Sequence, residues 1–258
     1  MKPVLHSKII GKGKPLLILH GLLGMGDNWI SMAKKYAENG FEVHLIDQRN
    51  HGKSFHDDEM NYEVMTDDLA HYFKMHQLKK ASLIGHSMGG KTAMHFALKQ
   101  PVLLEKLIIV DIAPKYYPPH HHFIFEALKS VDLQGFKTRK EIEIFLQKQI
   151  TSTPIVLFLL KNIARNEQGQ FYWKANLPVL EEALEELGTA LPPQSIIDIP
   201  SLFIKGEKSK YILPKDFLLI KAHFPQATII NIPKSGHWVH AEQPEMFFKK
   251  TLLFLSNN

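Results

Sequence analysis

ASLIGHSMGGKTAMHFALKQ, residues 81–100, joins an apolar run to a run with helical spacing through Gly85, His86, Ser87, Met88 and Gly89. G-x-S-x-G is a weak signal alone, because patterns of five residues recur by chance. Its setting gives it weight. A sharp strand-to-helix turn forces the central serine into strained backbone and aims its hydroxyl away from the sheet. The residues two before and two after then crowd each other, and glycine fits both places. The helix that follows points its first N–H groups at the same spot, where negative charge is favoured. The plain alternative is a glycine-lined turn with a capping serine.

Working outward, apolar runs alternate with helical patterns on both sides of this stretch. PLLILH (15–20), FEVHLID (41–47), ASLIGH (81–86) and KLIIVDIAP (106–114) read as strands. WISMAKKYAENG (29–40), closed by Gly40, and YEVMTDDLAHYFKMHQL (62–78) read as helices. Such apolar strands between helices predict an α/β chain with a parallel sheet covered on both faces. The alternation stops at about 115. HFIFEALKSV, RKEIEIFLQKQI, PIVLFLLKNI and PVLEEALEELG predict helices without strands up to about 195. It resumes with SLFIKG (201–206), PKDFLLIKAHF (214–224), ATIINIP (227–233) and PEMFFKKTLLFL (244–255). The expected organisation is a core of residues 1–114 and 196–258 carrying a helical cap of residues 115–195.

Composition excludes several classes. With 258 residues and 45% hydrophobic content, the chain can bury a core of ordinary size. It has no cysteine, so thiolate chemistry and disulfides are excluded. The net charge of +5 is spread over lysines, with arginine only at 49, 139 and 165. No lysine cluster has interleaved aromatics, so no nucleic-acid partner is expected. The longest apolar runs, such as IVLFLL (155–160), fall short of the roughly 20 residues needed to cross a bilayer. The N-terminus lacks a secretory cleavage pattern. A soluble, cytoplasmic protein is expected, as a monomer or small homo-oligomer. The run His120, His121, His122 suggests a metal, but three consecutive residues rarely converge on one ion, and no metal or other cofactor is expected.

A serine hydroxyl needs a base, and the base needs an orienting group. SGHWVHAEQPE (235–245) follows the last strand pattern, which puts its loop at the carboxyl edge of the sheet beside Ser87. His237, after Gly236, is the expected base, with His240 as competitor. His44, His71 and His95 fall in strand or helix patterns and read as structural. For the acid, the loop KGEKSKYI (205–212) has Ser209 where an aspartate could stand, with Glu207 nearby. Asp111, at the end of the preceding strand, is the preferred acid and Glu207 the alternative. HGLLG (20–24) supplies a βα turn whose Leu22 N–H could join that of Met88 in an oxyanion hole. Ser209, His20 and His86 are candidates for supporting roles. Leu23, Phe123, Trp173, Tyr211 and Trp238 are candidates to line a substrate pocket, together with cap residues of 123–128 and 155–160.

HGLLG (20–24), DQRNHGKS (47–54), GHSMGGKTAM (85–94), VDIAP (110–114), GEKSKYI (206–212) and SGHWVHAEQPE (235–245) together resemble the α/β-hydrolase superfamily. Within it they are most similar to small YbfF-type esterases and their mitochondrial abhydrolase-domain relatives. The resemblance spans nearly the whole chain and is weakest in the cap. It implies an eight-stranded, mostly parallel sheet, a helical cap, and hydrolysis of short- to medium-chain acyl esters, with acyl-CoA thioesters as a further small-molecule substrate class. It matches Ser87, Asp111 and His237 to nucleophile, acid and base. Arg49 and Asn50 read as loop organisers without a catalytic step. Two other readings stand beside this one. A C–C hydrolase or a lyase of the menaquinone-pathway type would grip carboxylated substrates with charged groups. A non-catalytic binding protein on the same scaffold would lack a triad member.

Overall fold

The computed structural model describes residues 2–257. The chain runs β1 (Ser7–Ile10), β2 (Lys14–Leu19), α1 (Ile30–Ala37), β3 (Phe41–Ile46), α2 (Tyr62–Met75), β4 (Ala81–His86), α3 (Met88–Lys99) and β5 (Leu104–Val110). An insertion follows: α4 (His122–Lys129), α5 (Arg139–Gln147), α6 (Thr153–Leu160), β6 (Ile163–Arg165), β7 (Phe171–Trp173), α7 (Leu177–Glu182) and α8 (Leu184–Gly188). The chain ends with β8 (Ser201–Gly206), α9 (Phe217–His223), β9 (Ala227–Ile232), α10 (Val239–Glu242) and α11 (Pro244–Ser256).

Among the described residues the main sheet has seven strands in the order β1-β3-β2-β4-β5-β8-β9, not the eight that the resemblance implies. All neighbours are parallel except β1, which runs antiparallel to β3 at one edge. Successive side chains of a strand face opposite ways, and both faces are covered. Leu17, Leu19, Leu83, Leu107, Ile109 and Phe203 pack under α2, α3 and α9 with Tyr72, Phe96 and Ile220. Leu16, Ile18, Ile84, Ile108, Val110 and Leu202 pack on the other side with Trp29, Tyr36 and Phe247. This two-sided burial explains strands that are apolar at every position rather than at every second one.

The insertion has its own apolar cluster. Phe125, Leu128, Ile142, Leu146, Val156 and Leu180 pack together and reach Leu23, Met65 and Met88 of the sheet part. It is not purely helical as expected: β6 and β7 form an antiparallel hairpin pairing Ile163 with Trp173. Each strand has three residues, too few to show a period-two pattern. Its turn carries the signal instead: Asn166 N donates to Gln170 O, and Gly169 sits at φ +77°. The run PVLEEALEELG, expected as one helix, is split into α7 and α8 at Ala183. At the neck of the insertion its two ends are tied together. Tyr117 N donates to Gly188 O at 2.8 Å and Leu191 N to Pro114 O at 3.0 Å. The buried Lys91 ammonium donates to the carbonyls of both Lys115 and Thr189. Among the described residues no helix is long and apolar enough to cross a membrane.

Candidate active site

Ser87 stands between β4 and α3 with φ 52° and ψ −118°, in the strained region the turn demands. The crowding is severe. A Cβ on Gly85 would lie 2.3 Å from Gly89 O, and one on Gly89 would lie 2.5 Å from His20 O. Ser87 N donates to Val110 O at 3.0 Å, which fastens the elbow to the end of β5.

Asp111 follows β5 at φ 53°, fully buried. Its Oδ1 accepts from Gly206 N at 3.0 Å. Its Oδ2 accepts from the Ser209 hydroxyl and stands 2.8 Å from His237 Nδ1. This bond fixes the tautomer, with Nδ1 carrying the proton. A buried carboxylate met by three donors is held in one orientation. Glu207 is exposed on the same loop, and its carboxylate accepts from Lys234 N at 2.8 Å instead of approaching His237. His237 lies in the loop after β9. Its ring stacks on Tyr211 at 4.0 Å, 19° from parallel, and lies 4.6 Å from the His86 ring. His86 Nε2 is 2.9 Å from His237 O, an N–H donor to a carbonyl. Ser87 and His237 line one cavity of about 410 Å³.

Three buried histidines near the site, His20, His86 and His240, are held neutral. Burial pushes His86 well below the ordinary imidazole value and His240 down to about 3. His240 stacks on Trp29 at 3.8 Å. His20, pushed to about 4 by burial, donates from Nδ1 to Gly21 O and accepts at Nε2 from Gln48 N.

Leu22 lies in the loop after β2, and Met88 is the first residue of α3, where backbone N–H groups have no acceptor within the helix. The loop that carries Leu22 is braced by DQRNHGKS in ways the sequence did not disclose. Asp47 Oδ1 accepts from Gly26 N at 2.7 Å, Gln48 Nε2 donates to His20 O at 2.7 Å, and His51 Nε2 accepts from Leu23 N at 3.1 Å. His51 can accept because burial lowers it to about 3. Arg49 forms a buried ion pair with Asp68 at 2.6 Å. Asn50 O accepts from Asn176 N, and Asn162 Nδ2 donates to Leu23 O at 2.7 Å, so the insertion is tied to both loops.

The cavity is lined by Leu23, Phe123, Tyr211 and Trp238, and also by Ile124, Ile155, Phe158 and Leu159 of the insertion. Trp173, expected there, is not among its walls: its place in the β6–β7 hairpin packs it into the apolar cluster of the insertion. No arginine or lysine lines it. Of the three histidines at 120–122, the rings of His120 and His121 lie 4.0 Å apart and both line the cavity. His120 Nε2 lies 2.9 Å from the Tyr211 hydroxyl, His121 faces the cavity with its ring pushed to about 4 by burial, and His122 opens α4. Among the described residues no group of three or more His, Asp or Glu side chains could hold a metal ion.

Comparison with known proteins places this geometry among relatives. The family model described as the alpha/beta hydrolase fold matches residues 14–244. The chain is 38% identical over 252 residues to the sn-1-specific diacylglycerol lipase ABHD11 of Danio rerio, covering 95% of this chain and 79% of that one. It is 35% identical over 247 residues to Esterase YbfF of Escherichia coli, covering 94% and 93%. A solved structure titled "Marine microorganism esterase" superposes with a TM-score of 0.95 at 46% identity, covering 98% of this chain and 100% of the other. The elbow at Ser87, the parallel sheet that carries it and these matches lead to one conclusion: the chain belongs to the α/β-hydrolase fold family.

Proposed function

We propose that this protein is a serine hydrolase of carboxylic esters, working through an acyl-enzyme on Ser87. The observation that carries the reading is the pairing of buried Asp111 with His237 at 2.8 Å beside a strained serine that opens on the same apolar cavity. His237 Nε2 takes the Ser87 proton as Oγ attacks the acyl carbonyl. Asp111 holds the imidazole and stabilises its charged form. The N–H groups of Leu22 and Met88 receive the oxyanion, each such donor contributing about 3 kcal/mol at the transition state. His237 then protonates the leaving oxygen, and water cleaves the acyl-enzyme by the same route. Residues 115–195 act as a lid over the core formed by 1–114 and 196–258.

Relatives named as a lipase and as esterases support the reaction class. Short- to medium-chain esters are the proposed substrates, with acyl-CoA thioesters as the second class. The larger cavity has no arginine or lysine among its described walls, and Lys91 beside Ser87 is engaged by the Lys115 and Thr189 carbonyls, which argues against a C–C hydrolase or lyase that grips a carboxylated substrate. The test is hydrolysis of p-nitrophenyl butyrate and butyryl-CoA by the purified protein and by Ser87→Ala. The wild type hydrolyses the ester and the variant does not; equal activity in both, after repurification, refutes the assignment.

A further inference from the structure

Two cavities of unequal size meet at Ser87. The larger, about 410 Å³, includes His237 and Trp238 in its walls and excludes Met88. The smaller, about 50 Å³, includes Met88, Ile112, Leu184 and Leu187 and excludes His237 and Trp238. Resting on the ester-hydrolase reading above, we propose that the leaving alcohol occupies the larger cavity and the acyl group the smaller. The preferred substrates are then short-chain acyl esters of bulky apolar alcohols.

The direction follows from the proton's path. The imidazole that takes the Ser87 proton must give it to the leaving oxygen, so that oxygen stands within hydrogen-bond reach of His237 Nε2. The Oγ–carbon bond forms, the carbon–alkoxy bond breaks, and the alcohol departs with the proton that Ser87 gave up. Water then supplies a hydroxyl to the acyl carbon and a proton back to Ser87, releasing the acid. The carbonyl oxygen points at the N–H groups of Leu22 and Met88. With Oγ, oxyanion and leaving oxygen placed, one direction at the tetrahedral carbon remains for the acyl chain. That direction leads away from His237, and of the two cavities it is the smaller whose walls include Met88 and not His237.

The walls of that cavity are fixed. Lys91, Tyr117 and Gly188, which hold the neck of the insertion together, are among them. At about 50 Å³ against about 410 Å³, the smaller cavity suits only a short acyl chain. The larger is apolar and built mostly by the insertion and the loops at 20–24 and 237–240, which suits an alkyl or aryl alcohol.

The experiment is two ester series followed by pH-stat: acetates from ethyl to dodecyl, and ethyl esters from acetate to dodecanoate. We expect kcat/KM to hold or rise along the alcohol series, and to fall about tenfold or more between ethyl butanoate and ethyl octanoate. Leu187→Ala should move the acyl limit to longer chains and Leu187→Trp to shorter ones, with the alcohol series unchanged in both. Should either variant fail to fold, the two wild-type series still decide. A kcat/KM that climbs with acyl length and drops with alcohol length overturns the proposal. So does a Leu187 variant that shifts the alcohol series instead. Failure to hydrolyse any member of either series by folded protein sinks the ester-hydrolase reading itself, and this inference with it.

Discussion

Asp111 is met by three donors, Gly206 N and the Ser209 hydroxyl from the end of β8 and the loop after it, and His237 Nδ1 from the loop after β9. Asp111→Asn keeps the shape but lets the side chain stabilise the wrong imidazole tautomer, so kcat should fall by about 10⁴ with little change in KM. Glu207→Gln should stay within about twofold of wild type, since Glu207 is exposed and partners Lys234 N. A steady-state comparison of the two variants checks both statements, and the reverse order would move the acid to the later loop. His51 makes a second case. His51→Ala leaves Leu23 N without its acceptor and loosens the turn that offers the Leu22 N–H. A loss of about 10–100-fold in kcat with unchanged circular dichroism is expected; unchanged kcat would show that the turn holds itself. The places of Ser87 and Asp111 directly after β4 and β5, and of His237 in the loop after β9, were legible because each follows an apolar run in a recognisable local pattern. The bracing by Asp47, Gln48 and His51 was not, because it exists only where two loops meet.

Glycines at element junctions carry the geometry further than any side chain. A Cβ at Gly206 would lie 2.0 Å from Gly236 O, and Gly236 precedes His237, the proposed base. Gly206→Ala should therefore displace the loop that carries His237 and remove most activity while the sheet persists. Near-wild-type kcat in a folded Gly206→Ala protein would contradict this. At the neck, Lys91→Met removes the donor shared by the Lys115 and Thr189 carbonyls. Amide exchange at Tyr117 and Leu191, the two backbone donors beside it, should then quicken; unchanged protection would mean that the backbone pairs hold the neck unaided. Long elements with a clear period were readable in advance, as α2, α11 and the central strands show. The edge strand β1 and the β6–β7 hairpin were not, since strands of three or four residues carry almost no period.

The protein as a whole should be sensitive to acid. His20, His51 and His240 are buried neutral, with values pushed to about 4, about 3 and about 3, against 6.5 when unfolded. Below pH 6.5 the unfolded chain takes up protons that the folded one refuses, so stability falls as pH drops from about 6.5 toward 4. The slope is up to about 1.4 kcal/mol per pH unit for each group. Tm should be about 5–10 °C lower at pH 5 than at pH 7.5; a flat profile would show that these rings find acid-stable partners. The sheet with helices on both faces was readable from alternation of apolar runs and helices. The count of seven strands was not, because one edge strand more or less leaves the central pattern untouched. The central claim, that Asp111 and His237 make Ser87 nucleophilic, is tested most directly by labelling with a fluorophosphonate and locating the adduct by peptide mass spectrometry. The account predicts one adduct, on Ser87, formed rapidly in wild type and at least about a hundredfold more slowly in His237→Ala. An adduct elsewhere, or undiminished labelling of Ser87 without the imidazole, would contradict it.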